Sequence, residues 1–307
     1  MLAFEILIED TFANVNTDLT LSPVDNKNVL SLINDFEDGS WRYRKFQEFI
    51  WDNITETALS LKERQSLIDR PLSSLTEAAK KLRLTDTAKD DKGQGSELAE
   101  IVLYGIMKHH YKALPVVPKI FYKQNAQDFA KGSDSVHIVL EGDNDFTLWF
   151  GEAKFYKSIE DVRLDSIVQS VENSLQTDKL KKENSIITNV SDIETLAIGV
   201  DLKNRIKELL STRESIDNLK PKLNIPILLL HECDITKKQT ALSDAYKEEI
   251  INHHKNRAES YFKKQIAKMG GIHMYSEIKF HIILFPVPVK ETIVNKFVEH
   301  VDHLKKQ

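Results

Sequence analysis

The chain has 307 residues, 41% hydrophobic and 29% charged, with a net charge of -5 and a pI near 6.1. This composition excludes a disordered protein and supplies enough apolar material for one large or two smaller cored domains. It also excludes an overall basic surface, although a nucleic-acid enzyme can keep its Lys and Arg in one groove.

The opening "MLAFEILIED" reads as a strand with a short apolar stretch and no basic leader, and no segment approaches the roughly 20 apolar residues of a membrane span. The expectation is a cytoplasmic protein without membrane association. The one cysteine, Cys233, suits a reducing interior and allows neither a disulfide framework nor a cysteine-based zinc site. A turn at "LSPVDN" precedes helical patterns at "KNVLSLINDF", "RKFQEFIWDNITETALSLKERQ" and "LSSLTEAAKKLRL". Residues 1–60 hold eleven Asp or Glu against four Lys or Arg. This acidic end reads as an ordinary solvated face or as a docking surface for a partner, with Phe46, Phe49, Ile50 and Trp51 either serving the docking or packing on the core. The charged, Gly-containing run "TDTAKDDKGQG" at 85–95 has linker composition. It sets the expected boundary between an N-terminal accessory region, 1–90, and a second domain, 91–307.

"SELAEIVLYGIMKHHYKAL" predicts a helix capped by Ser96 and stopped by Pro115 and Pro118. Extended runs follow at "KIFYK", "SVHIVLEG" and "FTLWFGEAKFY", the last two joined through "GDND" as a hairpin. From 159 to 182 helical spacing returns, with Ile159, Val162, Ile167, Val168, Val171 and Leu175 as core positions. "IPILLLHEC" has the continuous apolar character of a strand buried on both faces. The helix "SDAYKEEIINHHKNRAESYFKKQIAKM", the strand "EIKFHIILFPVPV" and the helix "KETIVNKFVEHVDHL" complete the chain.

In the third extended run Glu152 and Lys154 share one strand face while Ala153 takes the other. Charges inside so apolar a strand are costly unless they are paired, coordinated or used. Asp134 opens the preceding strand, with 17 residues between it and Glu152. The order helix, three strands, helix, buried strand, with these acids and this lysine, resembles the restriction-endonuclease-like, or PD-(D/E)xK, nucleases; Ser133 stands where the motif's Pro falls. The resemblance implies an α/β fold, a mixed sheet flanked by helices, and phosphodiester hydrolysis with Mg²⁺ held by Asp134, Glu152 and the backbone carbonyl of Ala153. A hard cation of that kind takes oxygen ligands from one or two carboxylates, and Mn²⁺ is expected to substitute. Lys154 would position or deprotonate the attacking water, or offset charge in the transition state. Glu100 is the carboxylate expected from the preceding helix; Glu97 is the alternate, although a first-turn acid also suits the helix dipole. Gln169 falls where some relatives carry a polar active-site residue.

Over most of residues 1–300 the chain resembles the HamA nuclease subunits of Hachiman antiphage defence systems, on "SELAEIVLYGIM", "GSDSVHIVL" and "WFGEAKFY". What this implies is a Mg²⁺-dependent deoxyribonuclease that cuts DNA and is restrained by a HamB-like helicase partner. The competing class is a non-catalytic nucleic-acid or protein adaptor that keeps the fold.

Other features read as structural. The adjacent pairs His109–His110 and His253–His254 point about 100° apart on a helix and make poor paired ligands. His231 and Cys233 share a face, without a second pair to complete a zinc site. "KNRAESYFKKQIAK" reads as a nucleic-acid backbone patch or, more simply, as a solvated helix face.

Overall fold

The computed structural model describes residues 2–84, 95–118, 120, 133–142, 144–189, 193, 194, 196, 198–211 and 213–307. The strands are β1 (Glu5–Thr11), β2 (Lys27–Ile33), β3 (Phe36–Glu37), β4 (Ser40–Trp41), β5 (Leu114–Val117), β6 (Ser135–Glu141), β7 (Asp145–Tyr156), β8 (Leu223–Glu232) and β9 (Lys279–Val287). Among the described residues seven of them form one sheet in the order β1-β2-β9-β8-β7-β6-β5, and β3 and β4 form a small ribbon. The pairs β2·β9, β9·β8 and β8·β7 are parallel, while β1·β2, β7·β6 and β6·β5 are antiparallel. The sheet is therefore mixed, with a parallel centre and antiparallel margins, as expected of an α/β protein.

The helices are α1 (Phe12–Val15), α2 (Tyr43–Ala58), α3 (Leu61–Ser66), α4 (Pro71–Lys81), α5 (Ser96–His109), α6 (Asp161–Ser174), α7 (Thr177–Asn189), α8 (Val200–Leu209), α9 (Ile216–Leu219), α10 (Asp234–Lys237), α11 (Asp244–Met269) and α12 (Lys290–Lys305). They cover both faces. Leu164, Ile167, Val168 and Val171 of α6 and Tyr261 and Phe262 of α11 share one core with the inner side chains of β7 and β8. On the other face α2, α4, α5 and α12 form the second core, against Ala153, Phe155, Leu228 and Leu230. No helix among the described residues is long and apolar enough to cross a membrane.

Several expectations hold in detail. β6 and β7 form the hairpin, with Gly142 at φ +72 in its turn. Every residue of β8 except Glu232 is buried. In α6 and its flanks Ile159, Ile167, Val168, Val171 and Leu175 lie in the core, but Val162 is 81% exposed.

Others need correction. "KNVLSLI" is the strand β2, not a helix: it is buried between β1 and β9, and a short apolar run has no periodicity that separates the two. The α5 cap is Gly95 in a left-handed conformation, one residue before Ser96. Pro115 does not simply end the helix; it lies in β5 at the sheet margin, where a missing N–H is tolerated. The expected run "KIFYK" lies outside the described residues except for Ile120.

The division at residue 90 does not separate a body from an appendage. β1 and β2 belong to the central sheet, and α2 and α4 lie in the same apolar layer as α5 and α12. Linker composition marks exposed chain, which also occurs within a single core, and residues 85–94 lie outside the described residues. Phe46, Phe49 and Ile50 are accordingly core residues, at most 5% exposed. Trp51 alone of the four lines a groove of about 880 Å³, with Tyr43, Gln47, Asn295 and His300.

Candidate functional site

β7 places Glu152 and Lys154 on the face covered by α6 and α11, and directs Ala153 to the α5 face. Asp134, just before β6, is fixed to β7 by two hydrogen bonds. Its backbone N–H donates to the Gly151 carbonyl at 2.7 Å, and its carboxylate Oδ2 accepts from the Ala153 N–H at 3.0 Å. Gly151 makes this approach possible. A Cβ there would lie 2.2 Å from Ser135 Oγ and 2.7 Å from Leu103 Cδ2, so only glycine lets β6 and α5 close on β7 at this point.

The hairpin thus brings three of the expected residues together. Lys154 Nζ lies 2.5 Å from Glu152 Oε1 and 3.4 Å from Asp134 Oδ2. The side chains of Glu152, Asp134 and Lys154 retain 9%, 16% and 28% exposure, so the cluster sinks from a partly open lysine to a closed glutamate. Ser170 of α6 donates from Oγ to Glu152 Oε1 at 2.5 Å. Burial raises the Glu152 carboxyl above its ordinary pKa, and the Asp134 charge adds to this, against the opposing pull of Lys154 and Ser170. For Lys154 burial acts downward, but Asp134 and Glu152 outweigh it and hold the ammonium well above its usual range.

Glu100 is buried on α5, at 6% exposure. Gly95 lies against Phe155 and Leu103 against Gly151, so α5 runs antiparallel to β7, and Glu100 comes between those contacts along the helix. It approaches from the Ala153 side of the sheet, opposite the face of Glu152 and Lys154. Glu97 is committed elsewhere: its carboxylate accepts the backbone N–H groups of Arg83 and Leu84 at 3.0 to 3.1 Å, tying α5 to the end of the α4 segment. Gln169 also points away, donating to Glu172 and Asn173 and accepting from Lys268.

Two residues were not singled out from the sequence. Ser170, the neighbour of Gln169, holds the glutamate. Glu183 of α7, 2% exposed, accepts the Ser133 N–H at 2.9 Å and so braces the residue before Asp134. The only sequence signal for Glu183 is an acid in a polar helix, which is too common to select it.

The supposed basic patch is tied into the fold. Tyr261 and Phe262 are 0% exposed, Lys264 pairs with Asp165 at 2.9 Å, Arg257 with Asp161 at 3.1 Å and Lys263 with Asp18 at 3.3 Å. The Asp165 and Asp161 pairs fasten α11 to α6, the helix that carries Ser170, and the Asp18 pair ties it to the segment after α1.

Fold and cluster define an α/β protein whose mixed sheet carries a carboxylate pair and a lysine at the start of its parallel centre. The chain belongs to the HamA family, whose family model matches residues 8–301. This membership supports the Hachiman HamA identification and a role in antiphage defence. Comparison with curated proteins gives no match.

Proposed function

We propose that the chain is the nuclease of its defence system, a metal-dependent DNA endonuclease with a restriction-endonuclease-like core, restrained by a helicase partner. The observation that carries this reading is the convergence of Asp134, Glu152 and Lys154 at hydrogen-bonding distances from separate points of the chain. The donor set suits a hard divalent cation: Asp134 and Glu152 offer carboxylate oxygens, burial and then the Asp134 charge raise Glu152, and Ala153, next after Glu152, donates its N–H to Asp134. Mg²⁺, or Mn²⁺ in its place, would supply Lewis-acid activation of water and phosphate.

The protein's own groups have distinct parts. With the carboxylates of Asp134 and Glu152 beside it, Lys154 is held as an ammonium, and as a cation it would face the charge that builds on the phosphoryl oxygens as water attacks phosphorus and the P–O bond to the sugar breaks. Ser170 keeps the Glu152 carboxylate oriented and ionised, and the Gly151 and Ala153 backbone orients Asp134. Glu100, entering from the other layer, serves as a supporting carboxylate.

Incubation of partner-free protein with supercoiled plasmid, with Mg²⁺ and with EDTA, tests the reading. Wild type should nick or linearise the plasmid only with the metal. Glu152→Gln and Lys154→Ala should each lose at least about 10² in rate, and the double variant should be little worse than either, because the residues act as a unit. Soluble Lys154→Ala that cleaves at the wild-type rate would sink the assignment, and DNA binding without cleavage under Mg²⁺ or Mn²⁺ would favour the adaptor.

A further inference from the structure

His231 ends the buried part of β8, Cys233 follows the strand, and His253 reaches them from α11. Among the described residues these three form a group whose ligand atoms all lie within 4.8 Å of one another. The adjacent-pair geometry that makes His253 and His254 poor joint ligands holds, since His253 alone of the two enters the group. The partner that the His231–Cys233 pair lacked in sequence thus comes from the middle of a helix.

We propose that His231, Cys233 and His253 form a Zn²⁺ site, separate from the carboxylate cluster, that staples the end of β8 to α11. A second observation points to a ligand there. His231 is 1% exposed; its Nδ1 faces the Leu229 carbonyl at 3.2 Å, and its buried Nε2 has no hydrogen-bond partner among the described residues. Nδ1–H donation to that carbonyl leaves the Nε2 lone pair available, the arrangement that fixes a metal-binding tautomer. A buried imidazole acceptor with nothing to accept from is costly, and a cation satisfies it.

The donors choose the metal. Two imidazoles and one thiolate suit a borderline-soft ion such as Zn²⁺ and not Mg²⁺. Zn–N bonds near 2.0 to 2.1 Å and a Zn–S bond near 2.3 Å put tetrahedral donors roughly 3.3 to 3.6 Å apart, so closing on the ion takes side-chain shifts of about 1 Å. His231 and Cys233 are buried and His253 is only half-buried, which leaves the fourth position on the solvent side for water. Behind the group, His254 bonds Ser31 Oγ through Nδ1 at 2.6 Å and packs its ring 5.3 Å from that of His231, so α11 is already seated on β2 and β8. Arg257, one turn beyond His253, is held by Asp161 at 3.1 Å, and its charge is thereby offset.

Cobalt reports this site without recourse to nuclease activity. The full chain, stripped with chelator and kept reduced with a phosphine, is titrated with Co²⁺ in excess Mg²⁺. One equivalent should bind with a near-ultraviolet thiolate-to-cobalt charge-transfer band and visible bands of tetrahedral intensity, and Zn²⁺ should displace it. Cys233→Ser should abolish the charge-transfer band, and His253→Gln, at a half-buried position the fold tolerates, should weaken binding at least roughly tenfold. Asp134→Asn with Glu152→Gln should leave the band intact. A folded wild type without the band, a band that survives Cys233→Ser, or one lost on changing the two carboxylates would each overturn the proposal. An intact band in a protein that never cuts DNA would count against the nuclease reading alone.

Discussion

Ser170 is the residue through which the chemistry of Glu152 can be read from outside. Its hydroxyl bonds to the carboxylate and lowers a pKa that burial and Asp134 raise. Removing it in Ser170→Ala should move the acid limb of the cleavage–pH profile upward and leave the alkaline plateau in place. An unmoved acid limb with a lower plateau would show that Ser170 only packs. Lys27 gives a second test at this scale, on stability. It is 0% exposed, donates to the Pro23 carbonyl at 2.6 Å and Asn26 Oδ1 at 2.7 Å, and lies 4.7 Å from the centre of the Tyr275 ring; burial pushes its pKa down from 10.5 to about 7. Between those two values the unfolded chain binds a proton that the folded chain does not, so stability should rise with pH across about 7 to 10.5 and gain nothing further from this group below 7. Urea midpoints measured from pH 7 to 10 should climb more steeply for wild type than for Lys27→Met. Parallel curves would mean that the ring faces and the two acceptors keep the ammonium charged.

Among the elements, the β6–β7 hairpin and α5 meet at Gly151, where the close approach leaves no room for a methyl group. Gly151→Ala forces Ser135 and Leu103 to move, and overpacking of this kind costs roughly 1 to 3 kcal/mol. Urea unfolding should show a loss in that range, and cleavage should fall further than folded fraction does, because Asp134 hangs on the Gly151 carbonyl. A variant of wild-type stability would show that α5 sits less tightly on β7. The same elements explain what could be read from the sequence. β7 was legible because period two put Glu152 and Lys154 on one face of an otherwise apolar strand, and the hairpin followed from the short turn between two such runs. β2 was not, because only its neighbours β1 and β9 make "KNVLSLI" a strand. Glu97 and Glu100 lie on one helix and look equivalent in one dimension, yet Glu97 caps the Arg83–Leu84 backbone while Glu100 is buried. Ser170, Glu183 and His253 act on partners 18 residues away or more, and nothing local marks them.

For the whole molecule, the decisive feature is that the acidic N-terminal stretch is part of the sheet. β2 pairs in parallel with β9 from Lys27↔Phe280 to Ser31↔Leu284, and β1 closes its outer side. Phe4 meets Phe46, Phe49 and Phe285 at ring distances of 4.7 to 5.9 Å, so the first strand, α2 and β9 are packed as one body. Deleting residues 1–90 would strip β9 of its neighbour, expose an apolar parallel edge and uncover the sheet face beneath α2 and α4. The truncated chain should therefore aggregate, with loss of cleavage and of partner binding together. A change confined to the groove is the better probe of docking: Trp51, partly buried against Phe297, lines the groove between α2 and α12, and Trp51→Ala or a charge reversal at Lys296 there leaves β1 and β2 intact. If the proposed helicase partner restrains the proposed nuclease through this face, such variants should stay folded, cut plasmid at the wild-type rate alone, and lose at least about tenfold in partner affinity by titration, as expected of one aromatic anchor. A soluble, active 91–307 fragment would refute the single-body reading, and unchanged affinity of the groove variants would move the restraint to another face of the molecule.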